Sequence, residues 1–223
     1  MLKDRRIRII TGHYGSGKTE FAVNYAIKLA QLGRKTAIGD LDIVNPYFRS
    51  REKKDFMERL GIRVVAPAGK LINADVPALP AEIYTLLQDE SYDVVLDVGG
   101  DAVGARTLGR YYNYLNGGGY DMFIVINANR PSTQECETVV RYIGEIERSA
   151  RIPATGLINN THMLRHTTVQ DILKGQRVAE KVSRQKNLPV KYISAIEKIA
   201  EQIPEGLTGE IFPVKMYMRP EWL

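Results

Sequence analysis

The chain has 223 residues, 44% hydrophobic and 26% charged, with a net charge of +5 and a pI near 9.2, an ordinary globular composition with room for one full core, so a single domain over 1–223 is expected. No apolar run approaches the roughly 18 residues that a membrane span needs. Cys136 is the only cysteine, which excludes an internal disulfide and a paired-cysteine metal site and points to a reduced, cytoplasmic protein.

The charged opening, Met1 to Arg6, is followed by only four residues of apolar pattern, too short for a signal-peptide core. Those residues, Ile7 to Ile10, read as a first strand. Next comes Gly12-His13-Tyr14-Gly15-Ser16-Gly17-Lys18-Thr19, the phosphate-loop pattern in its strand–loop–helix setting. Gly12, Gly15, Ser16 and Gly17 offer backbone N–H groups to phosphate oxygens without a bulky side chain in the way. Lys18 is expected on the β- and γ-phosphates and the Thr19 hydroxyl on Mg²⁺. Glu20 joins this nucleotide-contacting group from the first helical turn. The helix should run from Lys18 to about Leu32, with Phe21, Tyr25, Leu29 and Leu32 on its buried face and Gly33 ending it.

Thr36 to Gly39 reads as a second strand that delivers Asp40 and Asp42. Between 45 and 60 a loop becomes a short helix. Its Arg49, Arg51, Lys53, Lys54 and Arg59 are interrupted by Glu52, Asp55 and Glu58, a mixed pattern that argues for a solvated face and against nucleic acid. Ile62 to Ala66 is a third strand, Pro67 to Pro80 a loop, and about Pro80 to Leu87 a helix. Asp93 to Asp97 is a strongly buried strand that ends in Val98-Gly99-Gly100-Asp101. A helix over Val103 to Leu115 leads to the strand Met122 to Ile126. Ser132 and Glu135 form a capping-box pattern for the following helix, Thr167 and Gln170 for the next, and Ser194 and Glu197 for a short last one. Ala154 to Ile158 and Val190 to Ile193 are the remaining strands, and Gly175 is a weak point within the penultimate helix.

Strands alternating with amphipathic helices predict an α/β fold, a mostly parallel sheet with helices on both faces. Ligands in such sheets bind beyond the carboxyl ends of the strands. Asp40, Asp42, Asp97, Asp101, Asn127, Asn129, Asn159 and Asn160 all fall there. Asp97, ending an apolar strand downstream of the phosphate loop, is assigned to Mg²⁺. Of Asp40 and Asp42, one can orient the metal shell and the other the attacking water. A backbone N–H near Gly100 is placed to sense a γ-phosphate.

Together these stretches resemble the MinD/ParA branch of P-loop proteins, within the SIMIBI class. The match spans Gly12–Thr19, Asp40–Asp42, Asp93–Gly100, Ile124–Pro131 and Gly156–Asn160. The resemblance implies ATP and Mg²⁺ as ligands, Asp40 as a metal carboxylate, Asp42 as the carboxylate implicated in water activation, and Asn159 as the asparagine that contacts adenine. One position departs. The branch carries a signature lysine after the first glycine of the loop, and His13 stands there, so the trans-activated sandwich dimer is in question while a homodimer stays open. Arg49, Arg51, Arg106 and Arg110 are alternative cations. The last residues, Met216 to Leu223, are short and broken by Pro220, so they are expected to pack on the body rather than form a membrane-targeting helix.

The reading is a slow Mg-ATP hydrolase that switches an unidentified protein client. Alternatives are an ATP-dependent transferase or ligase on a small-molecule substrate, a metal-centre maturation GTPase, and a binding module without turnover. No strand is followed by Asn-Lys-x-Asp, the guanine-reading pattern, and Asn159-Asn160-Thr161-His162 lacks its lysine and aspartate.

Overall fold

The computed structural model describes residues 1–42, 51–66 and 81–218, with backbone alone for 51–53. Its strands are β1 (Ile7–Thr11), β2 (Thr36–Leu41), β3 (Arg63–Val65), β4 (Asp93–Val98), β5 (Tyr120–Ile126), β6 (Gly156–Asn159), β7 (Val190–Ile196) and β8 (Glu210–Val214). They form one sheet in the order β3-β2-β4-β1-β5-β6-β7-β8. Every pairing is parallel.

The reason lies in the strands' two apolar faces. In β5, Met122, Ile124 and Ile126 enter one core, while Phe123 and Val125 enter the other. A strand buried on both sides needs helices on both sides. α1 (Lys18–Gln31) and α2 (Arg51–Arg59) cover the second face. The first is covered by α3 (Glu82–Gln88), α4 (Ala102–Arg106), α5 (Tyr112–Leu115), α6 (Cys136–Ala150) and α7 (Val169–Lys186). A short α8 (Glu197–Ala200) links β7 to β8. No described helix is long and apolar enough to cross a membrane.

β1 sits between β4 and β5. The chain leaves it toward β2 on one side and returns to β5 on the other. That reversal opens a crevice at the carboxyl end of β1, where the phosphate loop begins. The opposite end of the sheet is held by buried charge. Asp4 accepts hydrogen bonds from the Tyr25 and Tyr192 hydroxyls and pairs with Lys191 at 2.9 Å. Burial alone would raise its carboxyl, but bonds from Tyr192, Tyr25 and Lys191 bring it below the ordinary value. Arg8 and Arg34 share Asp93.

Several local expectations change. The helix expected over Val103 to Leu115 is broken into α4, a 3-10 segment (Thr107–Tyr111) and α5. Ser132 does not cap α6. It lies in a separate 3-10 turn (Pro131–Thr133) that Thr133 anchors to the Asn127 carbonyl at 2.7 Å, and Glu135 precedes α6 without a side-chain cap. The capping box of α7 belongs to Thr168 and Asp171, because Thr167 donates its hydroxyl to Leu164 O instead. Ser194 lies inside β7, which β8 prolongs to Ile196 by pairing it with Val214. β8 itself is an element that periodicity did not reveal.

Candidate nucleotide site

The loop after β1 has the backbone that its glycines permit. Gly15 and Gly17 adopt φ +78° and +83°, a region that L side chains occupy at a cost. Gly17 precedes α1, and no side chain among the described residues caps that helix, whose N-terminus suits an anion. The carbonyls of the loop are tied to the neighbouring strand ends. Asn127 Nδ2 donates to Gly15 O at 3.2 Å, Asn160 Nδ2 to Ser16 O at 2.7 Å, and Arg130 Nε to Gly15 O at 3.3 Å. The Ser16 N–H closes the loop on His13 O at 3.0 Å, so these bonds fix the loop's backbone around the start of α1. The Ser16 hydroxyl is buried without a hydrogen-bond partner among the described residues.

Strand register assembles the carboxylates. Asp40 on β2 and Asp97 on β4 are direct partners across adjacent strands. Thr19 Oγ1 donates to Asp97 Oδ2 at 2.6 Å, and Lys18 Nζ lies 2.9 Å from Asp42 Oδ2. The Asp42 backbone N–H donates to Asp40 Oδ1 at 2.9 Å. All three carboxylates are buried. Burial pushes Asp97 up to about 6, against the pull of Lys18 and the bond from Thr19, with the charge of Asp42 adding to the rise. Its Oδ1 has no hydrogen-bond partner among the described residues. A buried carboxylate oxygen of this kind suits a cation. With the Thr19 hydroxyl and Asp40 beside it, the donor set is all oxygen, as Mg²⁺ prefers.

The chain after β4 lies against the start of the loop. A Cβ on Gly100 would stand 1.8 Å from Gly12 O, so no other residue fits there without movement. Thr11 Oγ1 donates to Gly99 O at 3.3 Å. Asp101 takes no part in the site, because its carboxylate caps α4 through Gly104 N at 2.7 Å.

From the loop, a cavity of about 380 Å³ extends toward the ends of β7 and β8. Its lining includes Lys18, Thr19 and Glu20 of α1, Asn160, His162 and Leu164 after β6, Ile196 at the end of β7, and Met216 and Met218 after β8.

Asn159, expected at the base, does not line this cavity. It is fully buried, and its amide donates to Ile172 O and Gln176 Oε1 at 3.0 and 3.2 Å. β6 ends at Asn159, so the next residue, Asn160, enters the cavity. Glu20 is present, and its carboxylate accepts the N–H groups of Tyr217 and Met218. His13 packs edge-on against Tyr142, ring centroids 5.7 Å apart. Arg106 and Arg110 are exposed and do not line the cavity. Arg49 and the Arg51 side chain lie outside the described residues, as do residues 219–223. The roles of Asn127, Arg130 and the chain after β8 were not read from sequence. For Asn127 and Asn160 the signal was the strand-end position, and only tertiary contact shows that both turn toward the loop.

No family model matches the chain, and no curated protein matches it. Solved structures do. Cell division protein FtsY from Thermotoga maritima is 20% identical with a TM-score of 0.59, over 86% of this chain and 62% of that one. Chloroplast FtsY from Physcomitrella patens is 18% identical with a TM-score of 0.57, over 90% and 59%. Signal recognition particle receptor FtsY from Elizabethkingia anophelis in complex with GDP is 19% identical with a TM-score of 0.54, over 88% and 59%. The chain therefore spans about three-fifths of the length of these proteins. At such identity the likeness is one of fold, the α/β P-loop NTPase fold with its parallel central sheet.

Proposed function

We propose that this chain is a single-domain, cytoplasmic Mg-ATP hydrolase of the MinD/ParA kind, slow by itself, whose nucleotide state governs an unidentified protein client. The observation that carries the reading is the convergence of two pairs, Lys18 with Asp42 and Thr19 with Asp97, on one phosphate loop. Gly12, Gly15, Ser16 and Gly17 supply the anion nest, and Lys18 adds its charge. Thr19, Asp40 and Asp97 are the residues to hold Mg²⁺, which when bound neutralises phosphate charge. Lys18 exchanges Asp42 for a phosphate as ligand binds. Asp42, parted from Lys18, then accepts a proton from the attacking water. Gly100, packed on Gly12, is the point at which the chain after β4 answers to the γ-phosphate.

ATP is favoured over GTP because the residues after β6 provide Asn160 and His162 rather than a carboxylate to pair with guanine. The second reading, GTP, is supported by the fold shared with an FtsY that binds GDP. Titration of Lys18→Ala with a fluorescent ATP analogue tests the common core of both. Near-complete loss of affinity with an unchanged circular dichroism spectrum is expected, and wild-type affinity in the variant would remove the phosphate-loop assignment.

A further inference from the structure

After β8 the chain turns back along α1, toward the phosphate loop. The Asn24 amide exchanges two hydrogen bonds with the backbone of Lys215, each 2.8 Å. One helical turn closer to the loop, Glu20 accepts Tyr217 N at 2.6 Å and Met218 N at 3.2 Å. Residues four apart share one helix face, so the two side chains present bonding groups to the passing backbone much as a strand edge would. The strap 215–218 runs antiparallel to α1 as a result. Met216 and Met218 line the cavity together with Ile196, and the Tyr217 ring meets Phe56 of α2 with centroids 5.6 Å apart.

Glu20 directly follows Thr19, in the helical turn that receives phosphate. A carboxylate there opposes an anion by simple Coulomb repulsion. Its charge is instead engaged by backbone N–H donors of the strap. The wall that it holds is apolar and thioether-rich, an adaptable surface suited to the face of a planar ring.

We propose that the strap 215–218 is the wall that receives the purine base of the nucleotide, and that Glu20 is its positioning residue, acting on the base through the strap and not on the phosphates. The inference rests on the nucleotide reading above and separates the two ends of the ligand. Phosphate affinity belongs to the loop, base affinity to Glu20 and the two methionines.

The test is calorimetric titration of the full chain with Mg-ATP and with Mg-tripolyphosphate, which carries no base. Wild type should bind ATP at least tenfold more tightly than tripolyphosphate. Glu20→Ala should lose most of that ratio by weakening ATP alone, and Glu20→Gln, which keeps an oxygen acceptor, should stay within about threefold of wild type. The double variant Met216→Ala, Met218→Ala should repeat the selective loss and covers the case in which Glu20→Ala folds poorly. Hydrogen exchange at the Tyr217 and Met218 amides should quicken in Glu20→Ala. Equal weakening of both ligands, or unchanged ATP affinity, overturns the proposal. Wild type binding both ligands equally also overturns it while leaving the phosphate loop intact, whereas wild type binding neither removes the nucleotide reading itself.

Discussion

Lys18 and Asp42 form a buried ion pair across the phosphate loop, Nζ to Oδ2 at 2.9 Å, with the two side chains 7% and 2% exposed. Such a pair is costly to break unless a new partner replaces the old one. Under the proposed function a phosphate would be that partner for Lys18. The pair would then couple nucleotide entry to the release of Asp42.

Asp42→Asn separates the two functions of that pair. With its competing carboxylate gone, Lys18 should bind phosphate more strongly, and ATP affinity should rise several-fold. Hydrolysis should fall by about 10² or more, the usual contribution of a positioned general base. Without ligand the variant should lose stability, because the buried Lys18 loses its ion pair with Asp42. Titration, phosphate release and urea denaturation measure the three effects, and unchanged affinity would show that the pair persists in the complex.

Asp97 should make stability depend on pH and, under the proposed function, Mg²⁺ binding depend on it in the opposite direction. Its ordinary value is 3.8, and burial in the folded chain pushes it up to about 6. Between those values the folded state holds a proton that the unfolded chain has released. Stability from this group is therefore present at low pH and is lost as pH rises from about 4 to 6, by roughly 3 kcal/mol in all. Mg²⁺ needs the ionised form, so Mg-ATP affinity should increase over the same interval. Asp97→Asn should be the more stable protein at pH 7 by about that amount, with a flatter pH profile and greatly weakened Mg²⁺ binding. Denaturation at pH 5 and 7.5, beside Mg-ATP titrations, checks both signs.

Under the proposed function, base choice should follow from the groups near the cavity. Asn160 is present there, Asn159 is not, and Glu20 is engaged by the strap. ATP should bind about tenfold more tightly than GTP, or about 1.4 kcal/mol. Competition calorimetry in which GTP equals or exceeds ATP would favour the guanine reading.

His13 bears on oligomeric state and rate. A fixed cation on the transferring phosphoryl group is worth about 10³–10⁵ in rate, and an imidazole packed on Tyr142 does not supply it. Basal ATPase activity of the isolated chain should be weak, and any homodimer should form without ATP. Light scattering with and without a non-hydrolysable analogue, run beside a phosphate-release assay, tests this. Brisk turnover joined to a nucleotide-dependent dimer would show that another cation has taken the lysine's place, with Arg49→Ala and Arg51→Ala the first variants to make.

Gly175 lies in α7, where glycine ordinarily costs about 1 kcal/mol relative to alanine. It is also a close-packing position, since a Cβ there would stand 1.9 Å from Thr161 Oγ1 and 2.3 Å from Asn159 Oδ1. Gly175→Ala should therefore destabilise the protein by about 1–3 kcal/mol net, despite its better helix propensity. A raised melting temperature would contradict this contact.

The amino-acid sequence by itself determined the parallel α/β class, the strand–loop–helix setting of Gly12–Thr19, the course of α1 to its Gly33 stop though not the burial of Leu32, which is 48% exposed, and the placing of Asp40, Asp42 and Asp97 at strand ends. These are local properties. Apolar runs set strands, helical spacing sets amphipathic faces, and glycine sets a backbone that other residues avoid. The tertiary structure decided what depends on register and on distant partners. Asp40 faces Asp97 because β2 pairs with β4, a relation between positions 57 residues apart. Asn160 rather than Asn159 enters the cavity because β6 stops one residue before it, and α7 takes the Asn159 amide. Thr168 caps α7 rather than Thr167 because a turn at Leu164 claims the earlier hydroxyl. β8 and the strap have little periodicity of their own. Their positions come from pairing with β7 and from Glu20 and Asn24, side chains nearly two hundred residues earlier that supply the bonds a short segment lacks within itself.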